Sequence, residues 1–156
     1  MRALYFLVAT SFLLSACATV PMAGPAADME GKRFDPPPPG QAALYLYRSS
    51  VLGSEVVFSL ADNQQPIGAL ADKTWIRVEV APGQHVITCN APSYAPLTQT
   101  PAQAATVEVA PGETRFLEVD VWPGLPLNPR CTATEVSADK GRAGVAGGNR
   151  ASASGN

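Results

Sequence analysis

The stretch Thr74–Val80 reads TWIRVEV, and it decides the fold class. Apolar and other residues alternate along it with a period of two, which is typical of a strand with one buried face. The alternation predicts two faces: one carries Ile76, Val78 and Val80 towards a core, and the other carries Trp75, Arg77 and Glu79.

Similar short segments surround this strand, and none sustains a helical period of 3.6 for three turns within residues 42–136. They are bounded by turn residues every eight to twelve positions or so, which favours a sandwich or barrel. We therefore expect an all-β domain, a single antiparallel β-sandwich of about eight short strands. The other predicted strands are Ala42–Arg48, Glu55–Ala61, Pro66–Leu70, Gln84–Cys89, Thr106–Val109, Thr114–Val121 and Cys131–Val136.

The sequence VEVAPG occurs twice, at Val78–Gly83 and Val107–Gly112. Proline presets the turn's φ and glycine accepts a positive φ after it, so both copies are interpreted as strand ends that enter hairpins. A single recurrence falls short of the three units that a repeat architecture needs.

The domain contains the segments ALYLYR, PIGAL, VAPGQH and VAPGETRFLEV and a closing GRA. Together they resemble a family of small, uncharacterised bacterial lipoproteins with a single β domain of unknown function. The resemblance runs from about Ala42 to Ala143, and the sequence departs from it in the long segment Asn90–Ala105 and in a cysteine pair. It implies a fold and a location but no catalytic residues. The paired Pro-Gly turns are also similar, more weakly, to PEGA-type envelope domains.

The regions on either side of residues 42–136 are expected to lie outside the folded domain. Residues 17–41 contain four successive prolines at 36–39, which favour a stiff polyproline spacer holding the domain away from its attachment point. Residues 137–156 are rich in Gly, Ser and Ala and have too few apolar side chains to offset the entropy of ordering. They are predicted to form a flexible tail, with one helical turn near Ala138–Ala143.

Residues 1–16 have the features of an export signal peptide: Arg2, then an apolar run over Ala3–Leu14 and small residues. Twelve residues rise only about 18 Å as a helix, against a hydrocarbon core of roughly 30 Å. Leu14-Ser15-Ala16-Cys17 resembles the lipobox of bacterial lipoproteins. That resemblance implies cleavage before Cys17, a diacylglyceryl group on its sulfur and a further acyl chain, such as palmitate, on the new amine.

The location follows from the same resemblance. Ala18 stands where an aspartate would favour inner-membrane retention in enterobacterial lipoproteins, so the periplasmic face of the outer membrane is expected.

Removing residues 1–16 leaves ten basic against thirteen acidic residues, a formal charge of −3. This balance and the lack of a basic cluster argue against nucleic acid as a partner. The expected partners are the membrane, through Cys17, and an envelope protein or peptidoglycan.

Two cysteines remain once Cys17 is acylated. An even number in an oxidising compartment favours a disulfide between Cys89 and Cys131. The alternative is two free buried thiols that pack as small apolar residues.

The sequence holds few candidates for catalysis, and no cofactor or metal is expected. His85 is the single histidine and has no ligand set at sensible spacing. Glu118 and Asp120 share one strand face about 7 Å apart, the separation of an inverting glycosidase pair. Acids in this pattern more often line the solvent face of an edge strand.

Aromatic residues provide the alternative to a purely structural role. Exposed rings can bind glycans, but aromatics of this kind more often fill cores. Trp75 distinguishes the two possibilities. An exposed tryptophan would indicate a binding surface, whereas one covered by a second layer would be explained by packing alone. The expected function is a non-enzymatic structural or docking module; a glycan-binding module comes second and a hydrolase third. The candidate contact residues are Trp75, Trp122, Tyr45 and Tyr47, with Tyr94 nearby in the sequence.

Overall fold

A computed structural model gives the architecture and describes residues 20–50, 54–90, 103–122 and 130–154, without the side chains of Gln103, Trp122 and Arg130. The eight predicted strands are present, with shifts of a few residues at some ends. In order, the elements are α1 (Pro25–Gly31), β1 (Ala42–Arg48), β2 (Phe58–Asp62), β3 (Gln65–Leu70), β4 (Thr74–Val80), β5 (Gly83–Asn90), β6 (Gln103–Val109), β7 (Thr114–Trp122), β8 (Arg130–Val136), α2 (Ala138–Ala146) and β9 (Asn149–Arg150).

The strands form two sheets. One has five strands in the order β8-β7-β1-β4-β9, and the other has four in the order β3-β2-β5-β6. Most neighbours are antiparallel, but β1 pairs with β7 and β4 with β9 in parallel. The expectation of a wholly antiparallel arrangement is therefore wrong at these two pairs.

One apolar core joins the two sheets. The five-stranded sheet contributes inward side chains such as Leu44 and Ile76, and the four-stranded sheet contributes Phe58 and Ile87, all fully buried. The alternation in β4 is confirmed, because Ile76, Val78 and Val80 pack in or against this core. The β1 strand is buried along its whole length, since both of its faces are covered.

A disulfide also links the sheets. Cys89 lies in β5 of the four-stranded sheet and Cys131 in β8 of the five-stranded sheet, with their Cα atoms 5.9 Å apart. Both residues are buried. The pairing expected from the even cysteine count is thus present, and it connects the two layers.

The two VEVAPG segments do not form hairpins. The first leads from β4 in the five-stranded sheet to β5 in the four-stranded sheet, and the second leads from β6 back to β7. Gly83 and Gly112 have the expected positive φ values of 132° and 78°. The turn chemistry was predicted correctly and the partner strand was not, because turn residues do not specify which sheet the next strand joins.

The segment before β1 packs on the body. Val20 is 6% exposed and belongs to the core, while Gly31 and Pro37 are buried further along. A spacer that stands away from the domain is therefore wrong for residues 20–41. The packing has an apolar cause, since Val20 enters the core and Phe34 lies against the rings of Tyr45 and Phe116.

The segment after β8 is also ordered, so the predicted flexible tail is wrong for residues 137–154. Ser137 caps α2 by accepting a hydrogen bond from the Lys140 amide at 3.4 Å. One side of α2 consists of Gly141, Gly144 and Val145, and it lies close against the five-stranded sheet. Glycines destabilise an isolated helix, but here they permit close packing on aromatic rings.

Residues 148–154, which we call the closing segment, fill the edge between the sheets. On one side, Asn149 and Ala151 donate to the carbonyls of Lys73 and Trp75, at 2.9 and 2.8 Å. Further on, the Ser154 amide donates to the Ile67 carbonyl in β3 at 3.0 Å. The closing segment therefore joins strands of both sheets.

None of the described helices has the length and apolarity needed to cross a bilayer.

Replacing Gly144 with alanine tests the docking of α2. A Cβ atom at this position would overlap the ring of Tyr47, so Gly144→Ala should lower the free energy of unfolding by about 1–3 kcal/mol. In an isolated helix the same change would be favourable by up to about 1 kcal/mol. Urea unfolding measures the difference. Gly147→Ala is the control, since its Cβ would meet no atom closer than 3.7 Å. A Gly144→Ala protein as stable as wild type would contradict the close packing.

Candidate functional site

The outer face of the five-stranded sheet carries a cluster of aromatic residues. The alternation in β1 and β4 places Tyr45, Tyr47 and Trp75 on this face, and Phe116 joins them from β7. The rings of Tyr45 and Phe116 stack with centroids 5.1 Å apart, and that of Trp75 lies 5.8 Å from Tyr45. Such pairs contribute about 0.5–1.5 kcal/mol beyond their buried area.

The α1 and α2 helices, one on each side of the strands in the sequence, cover this cluster. The α1 helix places Gly31 directly against the ring of Trp75, and the Tyr45 hydroxyl donates to the Gly31 carbonyl at 2.8 Å. The α2 helix contributes Val145, which is fully buried in the same cluster. The side chains that the strand pattern placed outside are therefore under a second layer.

The prediction of an exposed aromatic platform is wrong for three of its residues. Trp75, Tyr45 and Tyr47 are at most 1% exposed. They cannot present a ring face to a glycan without displacement of α1 or α2. The side chain of Trp122 and all of Tyr94 lie outside the described residues.

A polar group lies beside the aromatic cluster at Glu118. Its carboxylate accepts from the Ser49 hydroxyl at 2.8 Å and forms an ion pair with Lys140 of α2 at 2.6 Å. Glu118 is 8% exposed, and β7 lies between β8 and β1. The interpretation of Glu118 and Asp120 as acids on an edge strand is thus wrong, and Glu118 does not face solvent, whereas Asp120 is half-buried.

The pKa values of these groups move in different directions. Burial, together with the charges of Glu118 and Asp120, raises the pKa of Tyr47 to about 12. Burial and then the charge of Glu118 raise the pKa of Asp120 above its usual value. Burial also pushes the Glu118 pKa upward, but hydrogen bonds from Lys140 and Ser49 and the Lys140 charge bring it below its usual value. Carboxylates with opposed shifts can divide acid and base roles, but both Glu118 oxygens are occupied in holding Lys140 and Ser49.

The opposed shifts predict opposite effects of two neutral substitutions. Glu118→Gln should lower the free energy of unfolding at neutral pH by about 1 kcal/mol, since a charge-assisted contact to a mostly exposed lysine is lost. Asp120→Asn should leave stability unchanged or raise it, because the ionised form is disfavoured in the folded state. Urea unfolding over a range of pH measures both.

The pH dependence follows from the direction of each shift. The Glu118 contribution is complete above its unfolded value of 4.5 and is lost as pH falls through its lower folded pKa, so the Glu118→Gln deficit should disappear in acid. The cost of ionised Asp120 is complete above its raised folded pKa and should decline as pH falls below it, vanishing under the unfolded value of 3.8. Equal losses from both substitutions at neutral pH would contradict the described arrangement.

His85 serves as a connector between two turns. Its Nδ1 lies 2.6 Å from an Asp62 carboxylate oxygen, and its Nε2 lies 2.8 Å from the Ala81 carbonyl oxygen. The residue is 7% exposed. Because both ring nitrogens already have partners, this geometry fits a structural role better than that of a base or a metal ligand.

Two clefts, each of about 530 Å³, share Arg77, Glu79 and Arg150, and we call them the β4 clefts. One extends past Asp62 and His85 to the closing segment, and the other extends along the prolines at 36–39. Arg77 pairs with Glu79 at 2.9 Å. The Arg150 guanidinium donates to the Ala27 carbonyl at 3.0 Å and lies 5.4 Å from the Trp75 ring centroid. The clefts therefore present polar groups that are already partly paired.

No group of three or more His, Cys, Asp or Glu side chains within the described ranges is arranged to hold a metal ion. Cys17, the predicted acylation site, lies outside those ranges. The first described residue, buried Val20, follows Cys17 by three positions.

The sequence analysis did not predict α1 or the closing segment. Two signals could have indicated α1: Pro25 in its first turn, and Asp28 four residues before Lys32.

Comparison with known proteins finds similarity to an uncharacterized protein of Haemophilus influenzae. The two are 34% identical over 82 residues, which make up 53% of this chain and 49% of that protein. The match thus spans about half the length of each, and it supports a wider group of uncharacterised bacterial proteins. No family model matches the chain, and no solved structure matches it.

Proposed function

We propose that the chain is an acylated lipoprotein of the bacterial envelope, held by Cys17 at the periplasmic face of the outer membrane. Its two sheets are proposed to form a β-sandwich that acts as a structural or docking module and not as an enzyme. The observation that carries the proposal is the lipobox-like Leu14-Ser15-Ala16-Cys17, three residues ahead of buried Val20.

The cysteine chemistry supports the same compartment. The structure pairs Cys89 with Cys131, which leaves Cys17 as the thiol without a partner in the sequence. Disulfides persist in the periplasm and are rare in the cytosol. Two or three acyl chains at one residue give a stable anchor, whereas one holds a protein only reversibly.

Acylation of Cys17 is tested by metabolic labelling. Cells that express the wild-type chain should incorporate labelled palmitate into it, and the protein should fractionate with the outer membrane. Cys17→Ser should abolish both the label and the membrane association, while Cys89→Ser should retain them. A wild-type chain without label, or one that keeps its first sixteen residues, would disprove the proposal.

The docking role is supported by the β4 clefts, whose polar groups are accessible at Glu79. A photo-crosslinking residue at position 79 in whole cells should yield a discrete product with an envelope component. Position 108 is the matched control, since Glu108 is also an exposed glutamate in a strand but lies in β6, outside the residues that line these clefts. Identical patterns at both positions, or no product at 79, would count against docking at these clefts.

A further inference from the structure

Two exposed methionines distinguish one part of the surface. Met22 is 48% exposed and Met29 is 66% exposed, and they are the large apolar side chains that the described part of the chain leaves at the surface. Both belong to the short segment that precedes β1, with Met29 on α1. Isolated apolar side chains are common on protein surfaces, so exposure by itself does not define a site here.

The position of this segment relative to Cys17 gives the second observation. Val20 is buried in the core, and the three residues from Cys17 to Val20 reach at most about 11 Å. The lipid on Cys17 would therefore hold the surface around Val20 close to the bilayer. A longer spacer would have left the body free to rotate, but residues 20–41 are packed on it.

Hydrogen bonds fix the orientation of the segment on the body. Met22 pairs with Ala151 in an isolated bridge, and the Ala23 amide donates to the Arg150 carbonyl at 2.9 Å. The α1 helix is held by Asp28, which accepts from the Arg150 amide at 2.7 Å. Met22 and Met29 therefore move with the body and not independently of it.

We infer that the surface formed by Met22 and α1, including Met29, is the face of the protein that contacts the lipid bilayer. The inference rests on the proposed acylation of Cys17 and adds a defined orientation to it. Unbranched, polarizable methionine side chains adapt to the boundary between headgroups and acyl chains.

The charges beside this face favour an apolar contact over an electrostatic one. Lys32 pairs with Asp28 at 2.7 Å, and Arg33 pairs with Asp35 at 2.9 Å. Paired charges leave no cationic excess for anionic headgroups, so the contact should persist at high salt.

Depth-dependent fluorescence quenching tests the orientation. The full acylated protein is reconstituted into vesicles of phosphatidylethanolamine and phosphatidylglycerol, with an environment-sensitive fluorophore attached to the new thiol of Met22→Cys, Met29→Cys or Glu108→Cys. Position 108 is the control, because β6 lies three strands from β3, the strand that the closing segment contacts. Labelling without reductant keeps the native disulfide intact.

Nitroxide groups on the lipid acyl chains should quench the fluorophores at positions 22 and 29 strongly and leave the one at position 108 at its unquenched intensity. Aqueous iodide should give the reverse order, and neither result should change at high salt. Equal lipid quenching at all three positions in vesicle-bound, acylated protein would overturn the orientation while the anchor stands. Wild-type protein that is purified from cells without an acyl chain and stays in the supernatant of the vesicles would overturn the anchor, and the orientation with it.

Discussion

Replacing Cys89 and Cys131 together with alanine should lower the free energy of unfolding by about 4 kcal/mol. The bridge spans 42 positions in the sequence, and closing a loop of this size removes much of the entropy of the unfolded chain. It also fixes β5 of one sheet to β8 of the other, so its loss weakens the contact between layers. Urea unfolding of a soluble form that begins at Ala18 measures the change.

Reduction of the wild-type protein provides the control for this substitution. In the presence of dithiothreitol its unfolding curve should move towards that of the double variant, whose own curve should not respond to the reductant. A double variant within about 1 kcal/mol of wild type, below the usual range for native disulfides, would show that the bridge contributes little.

Trp75→Ala should lower the free energy of unfolding by about 3–5 kcal/mol, the usual cost of removing a fully buried large aromatic side chain. Trp75 has no exposed surface, and its ring contacts Gly31 of α1 and lies 5.4 Å from the Arg150 guanidinium. Its removal therefore opens a cavity and takes away the support for α1. Urea unfolding measures the loss, and trypsin cleavage after exposed Arg33 measures the release of α1.

Two further variants control for nonspecific effects. Trp75→Phe should lose less stability and should retain more of the protection from trypsin, because part of the ring contact remains. Met29→Ala changes an exposed residue of the same helix and should leave stability within about 0.5 kcal/mol of wild type. Cleavage after Arg33 at the wild-type rate in Trp75→Ala would contradict the idea that this ring holds α1.

The strands could be predicted because their signals are local. In β4, the alternation that ends in Glu79 and Val80 predicts both a strand and its buried face, and Gly83 indicates the turn that follows. The sheet that β5 joins depends instead on the long-range pairing of β5 with β2 and β6. No local pattern in VEVAPG specifies that pairing, so the hairpin prediction failed there.

The candidate site shows the same limit. Trp75 was correctly assigned to the face opposite the core, but its burial, like that of Tyr45 and Tyr47, depends on α1 and α2. Those helices contain few apolar residues, and Gly141 and Gly144 look unfavourable when propensity alone is considered. These glycines are favourable only in the folded protein, where the absence of a Cβ lets α2 pack closely on the rings of Phe116 and Tyr47.

The closing segment has a consequence for the order in which the molecule is made. Ala23 and Ser152 take part in hydrogen bonds that join residues 21–23 to 150–152, nearly the full length of the chain apart. A ribosome adds residues 150–152 long after residues 21–23, so the segment around Ala23 lacks these partners during most of translation. Residues 21–23 thus stay without these partners until residue 152 has been added, and their docking is a late step of folding.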